Sequence, residues 1–202
     1  VPERNTSVER IEKSRKTKET DISVALSLEA GDGPEIATGV PFFDHMLTAF
    51  GFHGGFGLSV RAAGDLEVDA HHTVEDVGLV LGDAFSALAA QQGALTRYGS
   101  ALIPMDDALS EVAVDVSGRP FLVYQASYPQ DYAGTFDLSL VREFFLALSN
   151  RAAINMHATC RYGVNGHHMA ESLFKAAGIA LRRAYHPVGS GGGARSTKGT
   201  IG

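Results

Sequence analysis

One cysteine, Cys160, is all the chain has in 202 residues. No internal disulfide framework can form, and a lone thiol suits a reducing compartment such as the cytoplasm. Long hydrophobic runs are also missing. No apolar stretch approaches the roughly 18 residues that a membrane span needs, and the first residues show no charged segment leading into an apolar one. Positive charge is scarce too, with 17 Lys and Arg against 23 Asp and Glu for a net charge of -6. That balance argues against general nucleic-acid affinity and leaves room for a local basic pocket. What remains is the composition of an ordinary soluble globular protein, 45% hydrophobic and 20% charged, long enough to bury a sizeable core as one domain or two in close contact.

Eight histidines are present, and their clustering says more than their number. "DAHHTVED" at 69–76 and "NGHHMAES" at 165–172 each carry an adjacent histidine pair followed three residues later by a glutamate. Both stand at the same place in a repeated order of elements. In the first half, 8–29 reads as two strands or one long bent strand, 41–54 as a short helix opened by proline and closed by glycine, 56–69 as a hairpin, and 71–91 as a long amphipathic helix. Val74, Val77, Val80, Leu81 and Phe85 form the apolar side of that helix. In the second half, 98–126 supplies strands with a turn at "SGRP", 137–152 the short helix, 154–163 a strand and 167–185 the long helix. "HHTVEDVGLVLGDAF" and "HHMAESLFKAAGIAL" align without a gap at an offset of 96. Internal duplication is the economical explanation. The expected architecture is α+β, with repeats at 1–96 and 97–186 packed as one unit, two sheets and a shared layer of four helices. The tail 187–202 is rich in glycine and basic, so its order is expected to come from a ligand or partner.

At about 100° per residue, His71 and Glu75 lie roughly 40° apart on a helix wheel and can share one ion, whereas His72 points about 100° away from His71. His167, Glu171 and His168 repeat the arrangement. Two such motifs build two equivalent sites, each completed by a second histidine from another motif. Imidazole with carboxylate oxygen suits Mn, Fe, Co or Zn, and the lack of cysteine ligands argues against structural zinc. A single motif of this kind more often marks a capped helix start; two copies at matching places in a repeat favour metal.

"FFDHML", "DAHHTVED", "SGRP", "NGHHMAESLFKA" and "STKG", in that order over nearly the whole chain, resemble the imidazoleglycerol-phosphate dehydratase family of histidine biosynthesis. The resemblance implies two four-stranded mixed β-sheets sandwiching the helices, and a homo-oligomer of 24 subunits with manganese at the subunit contacts, two Mn2+ per subunit. It also implies a lyase that dehydrates D-erythro-imidazole-glycerol phosphate to imidazole-acetol phosphate. No carbonyl activates the departing proton in such a substrate. Divalent ions flanking the ring favour loss of its N–H proton, and the resulting imidazolate can expel the adjacent hydroxyl.

The resemblance carries His45, His71, His72, Glu75, His167, His168 and Glu171 over as metal ligands, and Glu19, Glu171 and His71 as the catalytic set, with Glu19 moving a proton. The counterpart of His45 falls in "REFF", where many members carry histidine and this chain has Glu143. Carboxylate can replace imidazole on manganese, so Glu143 is the expected ligand and His157, read as a hydrogen-bonded core histidine, the competitor. Glu19, Arg97, Arg119, Lys175, Ser196 and Lys198 match substrate-binding positions. Each alone reads as a solvated surface group except Lys175, which shares a helix face with Glu171. Asp106 reads as a turn residue that could orient substrate, His53 as a helix C-terminal cap and His186 as surface. A dinuclear metal hydrolase and a non-enzymatic metal-binding shell protein are the rival readings. The first uses the same ligands to activate water; the second has no use for Glu19, Lys175 or the tail.

Overall fold

A computed structural model of the protein describes residues 10–92 and 94–188. The elements run β1 (Ile11–Lys16), β2 (Thr20–Ser27), β3 (Glu35–Ala37), α1 (Pro41–Gly54), β4 (Gly57–Gly64) and α2 (His71–Gln92). After these come β5 (Tyr98–Met105), β6 (Ala108–Asp115), β7 (Phe121–Gln125), β8 (Tyr132–Ala133), β9 (Phe136–Asp137), α3 (Leu140–Ala152), β10 (Asn155–Tyr162) and α4 (Gly166–Ala184). Two four-stranded sheets form, ordered β1-β2-β4-β3 and β5-β6-β10-β7. In each, the first two pairings are antiparallel and the last is parallel. The two repeats therefore share a pairing scheme as well as an element order.

Period-two alternation decides which face each strand buries. Ile22, Val24 and Leu26 on β2 meet Leu58 and Val60 of β4 in the core, while Asp21 and Ser23 face out. The second sheet does the same with Val112 and Val114 against Met156 and Ala158. Between the sheets the four helices form one layer paired across the repeats: α1 packs on α4, and α2 on α3. Phe144 of α3 stands between Phe43 of α1 and Phe174 of α4, its centroid 5.4 and 5.1 Å from theirs. Neither repeat keeps its helices to itself, which is why the halves make one core.

Glycine sets the closeness of both helix pairs. A Cβ on Gly178 of α4 would lie 2.3 Å from the Phe50 carbonyl oxygen of α1. A Cβ on Gly82 of α2 would lie 2.7 Å from the Leu148 carbonyl oxygen of α3. The two glycines occupy matching positions after their histidine pairs. The residue following each motif glutamate is also matched: Asp76 accepts from Thr20 of β2 and, at 3.0 Å, from Arg15 of β1, while Ser172 bonds Ser110 of β6 at 2.7 Å. Each long helix is thereby pinned to its own sheet by a buried polar contact.

Three sequence expectations differ from the structure. The segment 56–69 holds one strand, β4 over Gly57–Gly64, and not a hairpin, because both edges of β4 are taken by β2 and β3. The acidic stretch beyond it turns at Asp65, whose carbonyl accepts from the Val68 amide, and enters α2. β3, β8 and β9 were not anticipated, being two or three residues long with no alternation to read. His157 is not in the core: Met156, Ala158 and Cys160 take the inward positions of β10 and leave His157 exposed between Ala113 and Val123.

Gly178→Ala gains about 1 kcal/mol of intrinsic helix propensity, yet it drives a methyl into the backbone of α1. The expected result is a net loss of about 1–3 kcal/mol in denaturant unfolding, as overpacking of a dense interior gives. A variant as stable as the parent would show that α1 and α4 can separate freely.

Candidate functional site

Both histidine pairs open their helices. Asp69 accepts from the His71 amide at 2.7 Å, and Asn165 caps α4 by accepting from the His167 amide at 2.9 Å. These capping carbonyl-type oxygens stand at matching places in the repeat and set both pairs at the first turn.

The second-half motif gathers a cluster. Among the described residues, His45 of α1 with His167 and Glu171 of α4 is the group whose donor atoms all lie within 4.8 Å of one another. Nε2 of His45 is 3.0 Å, and Nε2 of His167 3.1 Å, from the same Glu171 oxygen. The other Glu171 oxygen lies 2.8 Å from Lys175 Nζ. Glu171 is only 7% exposed. Burial pushes its carboxyl pKa up, but the Lys175 and His45 hydrogen bonds outweigh burial and hold it below the usual value. A cavity of about 580 Å³ opens beside the cluster, lined by His45, His167, Phe42 and Tyr132. That is within the size range of small-molecule sites.

The adjacent histidines point elsewhere, as the helix wheel requires. His168 Nδ1 is 2.5 Å from Asp107, and its Nε2 is 3.6 Å from Asp106. His72 Nδ1 is 3.0 Å from Asp65, and its Nε2 is 4.0 Å from Glu19. The bond from Asp65 raises the His72 pKa. The bond from His168, with the Val164 amide, lowers the Asp107 carboxyl to about 2.

The first-half motif is more open. His71 Nε2 is 3.8 Å from Glu75, and Glu143, in the first turn of α3, is held at 2.9 Å by Arg142. Glu143 lies on the helix that packs against α2, as His45 lies on the helix that packs against α4. Its carboxylate does not join His71 and Glu75 in a three-donor group. A cavity of about 540 Å³ runs along His71, Asp69, Leu66 and Leu140.

Of the expected phosphate groups, Arg119 is exposed on its turn. Arg97 has φ 74° and is held to Asp115 at 2.7 and 3.2 Å. Ser196 and Lys198 lie outside the described residues. His186 is exposed as expected. His53 sits in the last turn of α1, but the cap is Gly55, whose left-handed φ of 64° closes the helix. Asp65, Asp107 and Asp69 were missed by sequence reasoning. Only Asp69, directly before a histidine pair, carried a local signal.

The fold and site define a duplicated two-sheet α+β protein with paired histidine–carboxylate clusters. A family model described as imidazoleglycerol-phosphate dehydratase matches residues 38–181. An imidazoleglycerol-phosphate dehydratase of Gluconobacter oxydans is 48% identical over 188 residues, 93% of this chain and 95% of its own. One of an Anaeromyxobacter species is 50% identical over 190 residues, 93% and 91%. The crystal structure of the Staphylococcus aureus enzyme superposes with a TM-score of 0.81 at 38% identity, covering 89% of this chain and 100% of that one. The chain belongs to the imidazoleglycerol-phosphate dehydratase family, hydro-lyases of histidine biosynthesis.

Because Lys175 helps hold the Glu171 carboxyl down, Lys175→Met raises its pKa. A depressed carboxyl stabilises the fold above its unfolded-state value and loses that contribution as pH falls through the folded value. The variant therefore has less carboxyl stabilisation to lose, and its smaller acid loss is complete at higher pH. A carboxyl-labelled 13C titration of metal-free protein reads the shift directly, and an unmoved Glu171 signal would remove Lys175 from the balance.

Proposed function

We propose that the chain dehydrates imidazole-glycerol phosphate to imidazole-acetol phosphate in a reaction that depends on two divalent transition-metal ions per subunit, manganese first among them. The observation that carries this reading is the convergence of His45, His167 and Glu171 on one point beside a cavity, in a chain of this family. The donors fit such an ion: imidazole and carboxylate, with no thiolate. His45, His167 and Glu171 would hold one ion; His71, Glu75 and Glu143 would supply the other. The Nε2 atoms of His72 and His168 turn away from both groups, so we assign each to a centre completed by a neighbouring copy, within a homo-oligomer of 24 subunits. A cytoplasmic setting agrees with the single reduced cysteine.

When bound, divalent metal supplies the positive charge that favours loss of a proton from the substrate ring nitrogen. The protein's own groups do the rest. Glu19, exposed at the turn before β2, takes or returns a proton at its carboxylate. Lys175 and Arg119 offer cations to the hydroxyl and phosphate ends, with Arg97, Ser196 and Lys198 completing the phosphate set.

Elemental analysis of active protein is expected to give about two transition-metal ions per subunit, with activity lost on chelation. Glu143→Ala should weaken one ion much more than the other, whereas His157→Ala leaves both in place. Active protein with no such metal would end the metal reading.

Glu19→Gln keeps size and hydrogen bonding but removes proton transfer, so metal content should hold while turnover falls roughly 10²–10⁴-fold. Lys198→Ala should instead raise KM, and lower kcat only if tail closure helps position the substrate. Phosphate release from the substrate in place of the keto product would make the chain a hydrolase.

A further inference from the structure

His72 and His168 are each gripped at Nδ1 by a carboxylate, and the two carboxylates come from different places in the fold. Asp65 is the first residue after β4, and its oxygens lie 3.0 and 3.3 Å from His72 Nδ1. The matching place after β10 is Gly163, where a Cβ would stand 2.4 Å from Met169 Cγ and 3.1 Å from the Ala108 methyl. An aspartate there would have to displace the buried Met169 side chain. The second repeat uses Asp107, the residue before β6, whose Oδ1 is 2.5 Å from His168 Nδ1. Its counterpart before β2 is Glu19, which lies on the opposite, Nε2 side of His72.

Inheritance from the duplicated ancestor does not place a carboxylate on the same ring atom from two unrelated positions. A shared demand on the ring does. An ionised carboxylate only accepts, so the Nδ1 it faces must carry the hydrogen, and a neutral ring then has its lone pair on Nε2. Both Nε2 atoms face further acidic groups, Glu19 at 4.0 Å and Asp106 at 3.6 Å, which make a cation-attracting surround. The grip also positions the chain. Asp107 Oδ2 accepts from the Val164 amide at 2.5 Å and the Asn165 amide at 3.0 Å, so one carboxylate orients the ring and the loop that leads into its helix.

We propose that Asp65 and Asp107 are positioning residues that lock His72 and His168 in the Nδ1–H form, so that Nε2 is the nitrogen each presents to metal. The proposal rests on the metal reading above. Carboxylate partners of this kind are worth about 10–100-fold in metal affinity elsewhere.

The test uses two variants chosen for what they leave intact. Asp65→Ala removes the acceptor. Asp107→Asn keeps one oxygen for the two loop amides and turns its –NH2 toward the ring, so Nδ1 must accept and the tautomer reverses without loss of the loop. Solid-state 15N NMR of histidine-labelled, metal-free protein, above the histidine titration range, reads the tautomers at any assembly size. Competition against a chelator reads Mn2+ affinity. The parent should show two rings as Nδ1–H; each variant should move one of them to Nε2–H and weaken a different class of Mn2+ site about 10–100-fold. Unchanged tautomers in a metal-binding parent and both variants overturn the anchoring, as do reversed tautomers with parental affinity. A parent that takes up no Mn2+ overturns the metal reading and the presentation of Nε2 with it.

Discussion

The close approach of helices from opposite repeats is the constraint on which the site depends. His45 belongs to one repeat, and His167 and Glu171 to the other. They meet because α1 and α4 touch backbone to backbone at Gly178, where any side chain would strike the Phe50 carbonyl. Packing density and chemistry are therefore one problem here. A helix pair standing an ångström further apart would still bury its phenylalanines, but His45 and His167 would no longer reach the same Glu171 oxygen. Interiors this dense hold two arrangements poorly, which favours a preformed site.

The duplication supplies a frame and the departures from it supply function. Caps at Asp69 and Asn165, close-approach glycines at 82 and 178, and helix-to-sheet bonds at Asp76 and Ser172 all recur at matching places. Those are the parts that hold long helices on sheets, and both repeats need them equally. Symmetry breaks in the shell around the histidines. Asp65 and Asp107 anchor equivalent rings from inequivalent positions, and Glu143 stands where the other repeat has His45. The breaks thus fall where a side chain must meet one ring, not where it must fill volume.

Much of this was legible because it is periodic or local. The helix over 41–54 was readable to its ends from Pro41, its apolar spacing and its closing glycines, and the long helices from their apolar stripes. The histidine motifs were readable because a helix fixes the angle between His167, His168 and Glu171. What failed was non-local. β4 looked like half of a hairpin because its true partners, β2 and β3, lie well upstream in the chain. Asp107 is 61 residues from His168, and nothing near "MDD" announces a ring partner. His157 was misread for a different reason: the apolar residues around it suggested burial, but period two on Met156, Ala158 and Cys160 already assigned it to the outer face.

Exchanging His45's counterpart for Glu143 has an electrostatic consequence. Glu143 brings a negative charge to the helix packed against α2, where imidazole would bring none. Arg142, 2.9 Å from Glu143, pairs that carboxylate on α3, as Lys175 pairs Glu171 on α4. The parallel is incomplete. Lys175 sits one turn along α4 from a buried carboxylate, whereas Arg142 adjoins a more exposed one and is half-exposed itself, so solvent screens the pair and little holds it closed. On the proposed reading, Glu143 would therefore exchange Arg142 for a divalent ion at small cost, and its carboxylate would add to the attraction for that ion. The two centres are not electrostatic copies of each other, although the helices that carry them are built alike.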